Sequence, residues 1–205
     1  MLEEAIQRLE QKRSQAAAAD QTKALAANRR ALEADPRDPV AGAPNGAVTV
    51  VEFFDYRCGY CKVAAPEIVK LIEREKDVRF VFKEFPILPD ANGRIGVSER
   101  AARLALAAKD SGKYLEIYRD LMAERALDDA AIARIASKHG LDPAALARAG
   151  QNPAVDEHLA DIHELATKLN VAGTPAFIVG NTVVPGADLE ALRAAIAEAR
   201  KAKKA

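Results

Sequence analysis

Residues 48–55, Val-Thr-Val-Val-Glu-Phe-Phe-Asp, form an almost continuous apolar run, and three residues further on stands the first of the chain's two cysteines, Cys58 and Cys61. Such a run suits a strand buried on both faces, as in the middle of a helix-covered sheet. Residues 62–74 are helix-compatible, so the Cys-x-x-Cys pair opens a helix that a strand feeds directly. Residues three apart share a helical face, which lets the two sulfurs approach to bonding distance. Cys58 falls where unpaired backbone N–H groups and the helix dipole favour an anion, and is the expected thiolate and nucleophile. Cys61, one turn further in, is the expected shielded partner that resolves a mixed disulfide.

Around this centre the chain divides by composition. Residues 1–34 contain no Gly or Pro, and Leu2, Ile6, Leu9, Leu25 and Leu32 recur at helical spacings. The apolar stripe is thin and largely alanine, so this helix needs another chain or the body of the protein to cover it. Residues 36–47 hold Pro36, Pro39, Pro44, Gly42 and Gly46 and read as a linker, dividing a segment 1–35 from a domain 48–205. Within that domain residues 78–85 read as a second strand, joined through the helix in a βαβ unit, and residues 97–169 as a block of helices. Two short strands around Gly180-Asn181 and a last helix from Asp188 close it, with Arg200, Lys201, Lys203 and Lys204 suited to the helix C-terminus. The class is mixed α/β with a helical insertion.

Thirty basic residues balance thirty acidic ones, so no net field argues for nucleic acid or an anionic membrane as partner. No apolar run is long enough to span a bilayer, and the N-terminus lacks the pattern of a secretory signal. A zinc site needs about four ligands, and beyond the cysteines only His139, His158 and His163 remain, all in helical stretches and read as surface residues, so no metal is expected. Glu52 interrupts the buried strand. It could be an edge charge in solvent, but its place in the run predicts a buried carboxyl beneath the motif, with its pKa raised and able to exchange a proton with Cys61. Arg57 either steadies the Cys58 thiolate or is an exposed side chain of little effect, and the second reading is favoured.

Three stretches together carry a resemblance. Glu52-Phe53-Phe54-Asp55-Tyr56-Arg57 before Cys58-Gly59-Tyr60-Cys61, then Phe82-Lys83-Glu84-Phe85-Pro86, then Gly173-Thr174-Pro175-Ala176-Phe177 are similar to the DsbA-like thioredoxin-fold family. Within it, the helical extension and Cys-Gly-Tyr-Cys most resemble the suppressor of copper sensitivity protein C (ScsC) group. The resemblance implies an α/β thioredoxin fold with a helical insertion and an N-terminal helical oligomerisation extension. It places Glu52 at the family's buried acid, with Lys83 as its companion, and Thr174-Pro175 as a cis peptide beside the cysteines whose backbone pairs with substrate. Gly59 and Tyr60 join Thr174 and Pro175 in the substrate-facing surface.

The resemblance further implies a thiol–disulfide oxidoreductase with no cofactor beyond its own Cys58–Cys61 pair, acting on misfolded or oxidised proteins. Its preferred direction is isomerase or reductase, kept reduced by a membrane thiol reductant in the periplasm, as a mature form whose signal has been removed. A homo-oligomer through residues 1–34, with a trimer favoured, is expected. A monomeric dithiol oxidase and a Cu(I)-binding copper-tolerance protein are the alternatives, since two thiolates can hold Cu(I).

Overall fold

The computed structural model describes residues 2–203; the expectations for Met1 and Lys204 fall outside the described residues, as does the side chain of Leu2. The chain begins with α1 (Leu2–Ala27), α2 (Arg29–Glu33), β1 (Val40–Gly42), β2 (Val48–Phe54), α3 (Gly59–Arg74) and β3 (Val78–Glu84). Five helices follow: α4 (Gly96–Ala107), α5 (Tyr114–Ala123), α6 (Asp129–Lys138), α7 (Pro143–Ala149) and α8 (Pro153–Lys168). The hairpin β4 (Ala176–Val179) and β5 (Thr182–Pro185) leads into α9 (Leu189–Ala202).

The strands form one sheet in the order β1-β3-β2-β4-β5. β2 and β3 run parallel, with Glu52 opposite Phe82, and α3 is the crossover between them. The other pairings are antiparallel. The later helices are capped: Asp128, Asp142, Asn152 and Asp188 each accept a hydrogen bond from a first-turn N–H, and Pro143 and Pro153 begin their helices, where no N–H is needed.

β2 is buried along nearly its whole length because both faces of the sheet are covered. On one face Val48, Val50, Phe54, Phe80, Phe82 and Phe177 meet Ile68 and Ile72 of α3, Ile117 and Tyr118 of α5 and Ile196 of α9. On the other, Val51, Phe53, Val81 and Ile178 meet Ile162 and Leu165 of α8 together with Leu25 and Leu32. Period-two alternation thus gives β2 two separate duties. Glu52 belongs to the first face and Phe53 to the second.

The N-terminal segment is of two kinds. Ile6 and Leu9 are 48% and 52% exposed, whereas Leu25 and Leu32 are fully buried on the body. Each of those leucines contributes about 1.5–3 kcal/mol of burial, enough to dock the end of a helix that would be marginal alone.

The linker expected over residues 36–47 contains a strand, β1, and is stitched to β3 along its length. Pro39 O accepts from Phe82 N at 3.0 Å, Val40 lies opposite Val81, and Ala43 N donates to Val78 O at 2.9 Å. Glycine makes this approach feasible: Gly42 has φ +80°, and a Cβ there would lie 2.5 Å from Val78 O. The same glycines that mark a loop by composition are therefore the residues that let the backbone pair.

A Leu32→Ala variant should lose about 2–5 kcal/mol in denaturant unfolding. Leu9→Ala should leave the unfolding of an isolated chain unchanged within about 0.5 kcal/mol.

Candidate active site

Cys58 is the N-cap of α3, with extended backbone (φ −70°, ψ 119°), and Cys61 stands two residues inside the helix from Gly59. Both are free thiols. Cys58 is 7% exposed and Cys61 is fully buried, so only the first can meet a bulky substrate. The Cys58 thiol donates to Thr174 O at 3.1 Å, and the Thr174-Pro175 bond is cis, as the resemblance implied. Burial drives the Cys61 thiol far above the usual thiol range, and the nearby Glu52 charge adds to this against a backbone hydrogen bond from the Asp55 region that opposes it. A thiol in that condition needs a base before it can attack. Tyr60, between the cysteines, is 70% exposed and forms an apolar lip with Val63, 67% exposed, on the next turn of α3.

Glu52 is the carboxyl whose charge acts on that thiol. Its side chain is 1% exposed, and burial pushes its carboxyl up to about 8, with the Tyr118 hydroxyl working in the other direction. Tyr118 Oη donates to the two carboxyl oxygens at 3.2 and 3.1 Å. The buried-carboxyl reading of Glu52 therefore describes its position, and the solvent-edge reading does not.

Lys83 is not its companion. Phe82 is the residue opposite Glu52, so Lys83 pairs with Phe53 and points to the other face of the sheet. There its ammonium contacts Asp38 and donates to Ala31 O at 2.6 Å, with His158 Nε2 3.2 Å from Asp38 Oδ1. Burial lowers the Lys83 pKa, and Asp38 partly restores it. The ionisable residue of β3 on the Glu52 face is Glu84, 1% exposed, whose Oε1 accepts from Tyr56 Oη at 2.9 Å and Tyr114 Oη at 2.7 Å. Burial holds the Glu84 carboxyl well above the ordinary range, with the Tyr114 and Tyr56 hydroxyls working in the other direction.

Asp55 organises the loop that presents Cys58. Its Oδ1 accepts from Arg57 N at 2.7 Å and Ser98 Oγ at 2.8 Å, and its Oδ2 from Ile87 N at 2.8 Å and Leu88 N at 2.9 Å. One carboxylate thus fastens the motif loop, the loop after β3 and α4 together. Arg57 is part-buried rather than exposed, held by Asp90 at 2.6 Å and by Pro89 O at 3.0 Å.

Among the described residues no group of three or more His, Cys, Asp or Glu is arranged to hold a metal. His158 corrects the expectation of three surface histidines: it is 3% exposed, because α8 lies against the sheet and turns it onto Asp38. Among the described residues no helix is long and apolar enough to cross a membrane.

Fold and dithiol together define a thioredoxin-fold domain of the thiol–disulfide oxidoreductase type, enlarged by a helical insertion. The DSBA-like thioredoxin domain model matches residues 49–197, and the chain belongs to that family. A thioredoxin-like oxidoreductase from Silicibacter pomeroyi superposes with a TM-score of 0.78 at 42% identity, covering 85% of this chain and 98% of that one. A linker-deletion variant of ScsC from Proteus mirabilis gives 0.79 at 28% identity over 98% of this chain and 92% of that one. The thiol-disulfide exchange protein alpha-DsbA2 from Wolbachia pipientis gives 0.79 at 27% identity over 89% and 97%. In sequence, the Na(+)/H(+) antiporter NhaA 3 of Salinispora tropica is 33% identical over 181 residues, which is 80% of this chain. The chain spans about a quarter of the length of the curated relatives it matches.

Two substitutions test this geometry. Between about pH 4.5 and 8 Glu52 is mostly neutral in the fold and ionised in the unfolded chain, so its contribution is complete below the ordinary carboxyl value of 4.5 and is lost as pH rises toward about 8. Glu52→Gln should remove that slope and be more stable than the parent at pH 7 by up to about 3 kcal/mol, read from denaturant midpoints. Lys83→Met leaves Asp38 buried without its cation and should cost about 3–5 kcal/mol while the rate of thiol–disulfide exchange stays unchanged.

Proposed function

We propose that this protein exchanges disulfides in other proteins, working mainly as an isomerase or reductase. The observation that carries this is the unequal placing of the two thiols: Cys58 at the rim of α3 facing Thr174 O, Cys61 fully buried behind it. The Cys58 thiolate attacks a substrate disulfide, forming a mixed disulfide and releasing one substrate thiolate. Either another substrate thiol then attacks, completing a rearrangement, or Cys61 attacks Cys58, forming the Cys58–Cys61 disulfide and releasing the reduced substrate. Glu52 takes the Cys61 proton in that second route. The oxidised pair needs two electrons from a thiol reductant, which we assign to a membrane partner facing the periplasm. A periplasmic thioredoxin-like protein from Salmonella enterica, with a TM-score of 0.69 at 30% identity, supports that compartment.

Thr174 and Pro175 form the ledge on which an extended substrate segment lies, with Gly59 and Tyr60 opposite. No cation stands between the cysteines, and Arg57 is engaged by Asp90. This supports a disulfide less oxidising than that of DsbA, which suits a protein that must start reduced. Equilibration with glutathione should give a potential clearly below the DsbA value of about −120 mV, and a value as high as that would sink the isomerase direction.

The protein assembles through α1, where Ile6 and Leu9 stand exposed, and we favour a trimer. Several sites then face one misfolded substrate, raising the effective concentration of the second encounter. A chain lacking residues 1–20 keeps Leu25 and Leu32 and so keeps its fold. It should fall to monomer mass and lose about tenfold or more in refolding of scrambled substrates, while oxidation of a small dithiol peptide persists. Unchanged mass on truncation would leave the monomeric dithiol oxidase as the better reading.

A further inference from the structure

We propose that Tyr118, supplied by the inserted helix α5, is a positioning residue that holds the Glu52 carboxylate and thereby controls the proton transfer that arms Cys61. This rests on the role given to Glu52 above.

Tyr118 is fully buried, and among the described residues its hydroxyl is the hydrogen-bond partner that Glu52 has, at 3.2 and 3.1 Å. The ring is fixed by edge contacts to Phe54 (5.2 Å, 88°) and a tilted contact to Phe82 (4.9 Å, 52°), so the hydroxyl has one direction in which to point. The helix that carries it is fastened to the catalytic helix. Lys62, the residue after Cys61, reaches Leu121 O and Met122 O, each at 3.5 Å, and Glu124 O at the C-terminal end of α5. Carbonyls at a helix end attract a cation, and this one bridges the first turn of α3 to the end of α5.

The titratable groups facing Glu52 are Tyr118 from α5, Tyr56 after β2, Glu84 from β3 and Cys61 from α3. Glu84 is engaged by Tyr56 and Tyr114, Asp55 by its own donors, and Lys62 by the end of α5. β4 brings Phe177 opposite Glu52, and no charge. A hydroxyl donating to a carboxylate favours the ionised form over the neutral one. Without it, Glu52 in this apolar layer would hold its proton more tightly and be a scarcer base at neutral pH.

The step it controls is balanced. The Glu52 carboxylate takes the Cys61 proton, the Cys61 thiolate attacks Cys58, the Cys58–Cys61 bond forms, and the bond from Cys58 to the substrate sulfur breaks, with the electron pair leaving on the substrate as thiolate.

The test uses the full chain loaded at Cys58 with thionitrobenzoate as a mixed disulfide; release of the yellow thiolate reports attack by Cys61, followed across the range in which Glu52 titrates. Tyr118→Phe keeps the ring contacts and should move the midpoint of the rate profile about one pH unit upward, slowing release about tenfold at neutral pH. Tyr114→Phe, whose lost hydroxyl serves Glu84, should keep the parent profile. Replacing Tyr118 by 3-fluorotyrosine, a stronger donor of nearly the same shape, should move the midpoint downward, and it reports even where Tyr118→Phe is poorly folded. In a Glu52→Gln background Tyr118→Phe should have no further effect. Superimposed profiles for the parent and both Tyr118 variants, with Glu52→Gln slow, would overturn the role of Tyr118 alone. Unchanged release in Glu52→Gln itself would overturn the role of Glu52 and this inference with it.

Discussion

Keeping the Glu52 carboxyl out of water, among Phe54, Phe82 and the tyrosine rings, raises its affinity for a proton more than its hydrogen bond to Tyr118 lowers it. That imbalance depends on the whole fold. β2 must be central, so that both its faces are dry; α3 must cross over it, so that Cys61 comes to rest above the carboxyl; and the inserted helices must close the open side. A thioredoxin-like sheet with one exposed face would leave Glu52 an ordinary surface acid, and the base that we propose for the deeply buried Cys61 thiol would no longer be matched to neutral pH.

The insertion therefore does more than enlarge the domain. It brings Tyr114 and Tyr118 onto the sheet, where Tyr118 donates to Glu52 and Tyr114, with Tyr56, donates to Oε1 of Glu84, supplying donors to two carboxyls that burial would otherwise leave without any. Three of the chain's four tyrosines are used in this way, while the fourth, Tyr60, is left in solvent beside the thiols. The same residue type thus serves two purposes, separated by exposure: hydroxyl donors in the interior, and an amphipathic contact surface at the rim.

How much of this was legible in the sequence differs from residue to residue. Strand, Cys-x-x-Cys and helix are local patterns, and hydrophobic run, spacing and helix polarity sufficed to place Cys58 and Cys61 correctly relative to each other. The burial of Glu52 followed from its place in the run. Lys83 did not follow, because its face is set by the register of β2 against β3, which no local pattern contains; only the pairing of Glu52 with Phe82 reveals that Glu84 is the neighbour on that face. Once that register is known, the alternation Phe80, Phe82, Glu84 against Arg79, Val81, Lys83 gives the rest. Tyr118 lies 66 residues beyond Glu52 on a helix whose rotation is settled by tertiary contacts, and nothing in its own stretch distinguishes it from a core aromatic.

The connector shows why a weak local signal can still be strongly determined. Its prolines and glycines spell no helix or strand pattern, yet Asp38 is fully buried against Lys83, with His158 alongside and Arg37 joining Asp35 to Asp161 of α8. Burying ions is costly, and apolar residues of equal volume could stabilise the same contact as well or better. What the ions add is intolerance of error. A shift of one residue in the pairing of β1 with β3 would carry Asp38 away from Lys83 and leave an ammonium in the dry layer under Val51 and Phe53, an arrangement several kcal/mol worse, of order 3–5. Slippage of the connector is thus penalised far beyond the loss of a few backbone hydrogen bonds. Arg29 adds a second restraint on the same base, donating to Gly180 O at 2.8 Å and Asn181 Oδ1 at 2.7 Å on the β4–β5 turn. The stretch that follows α1 is thus held from β3, α8 and that turn together.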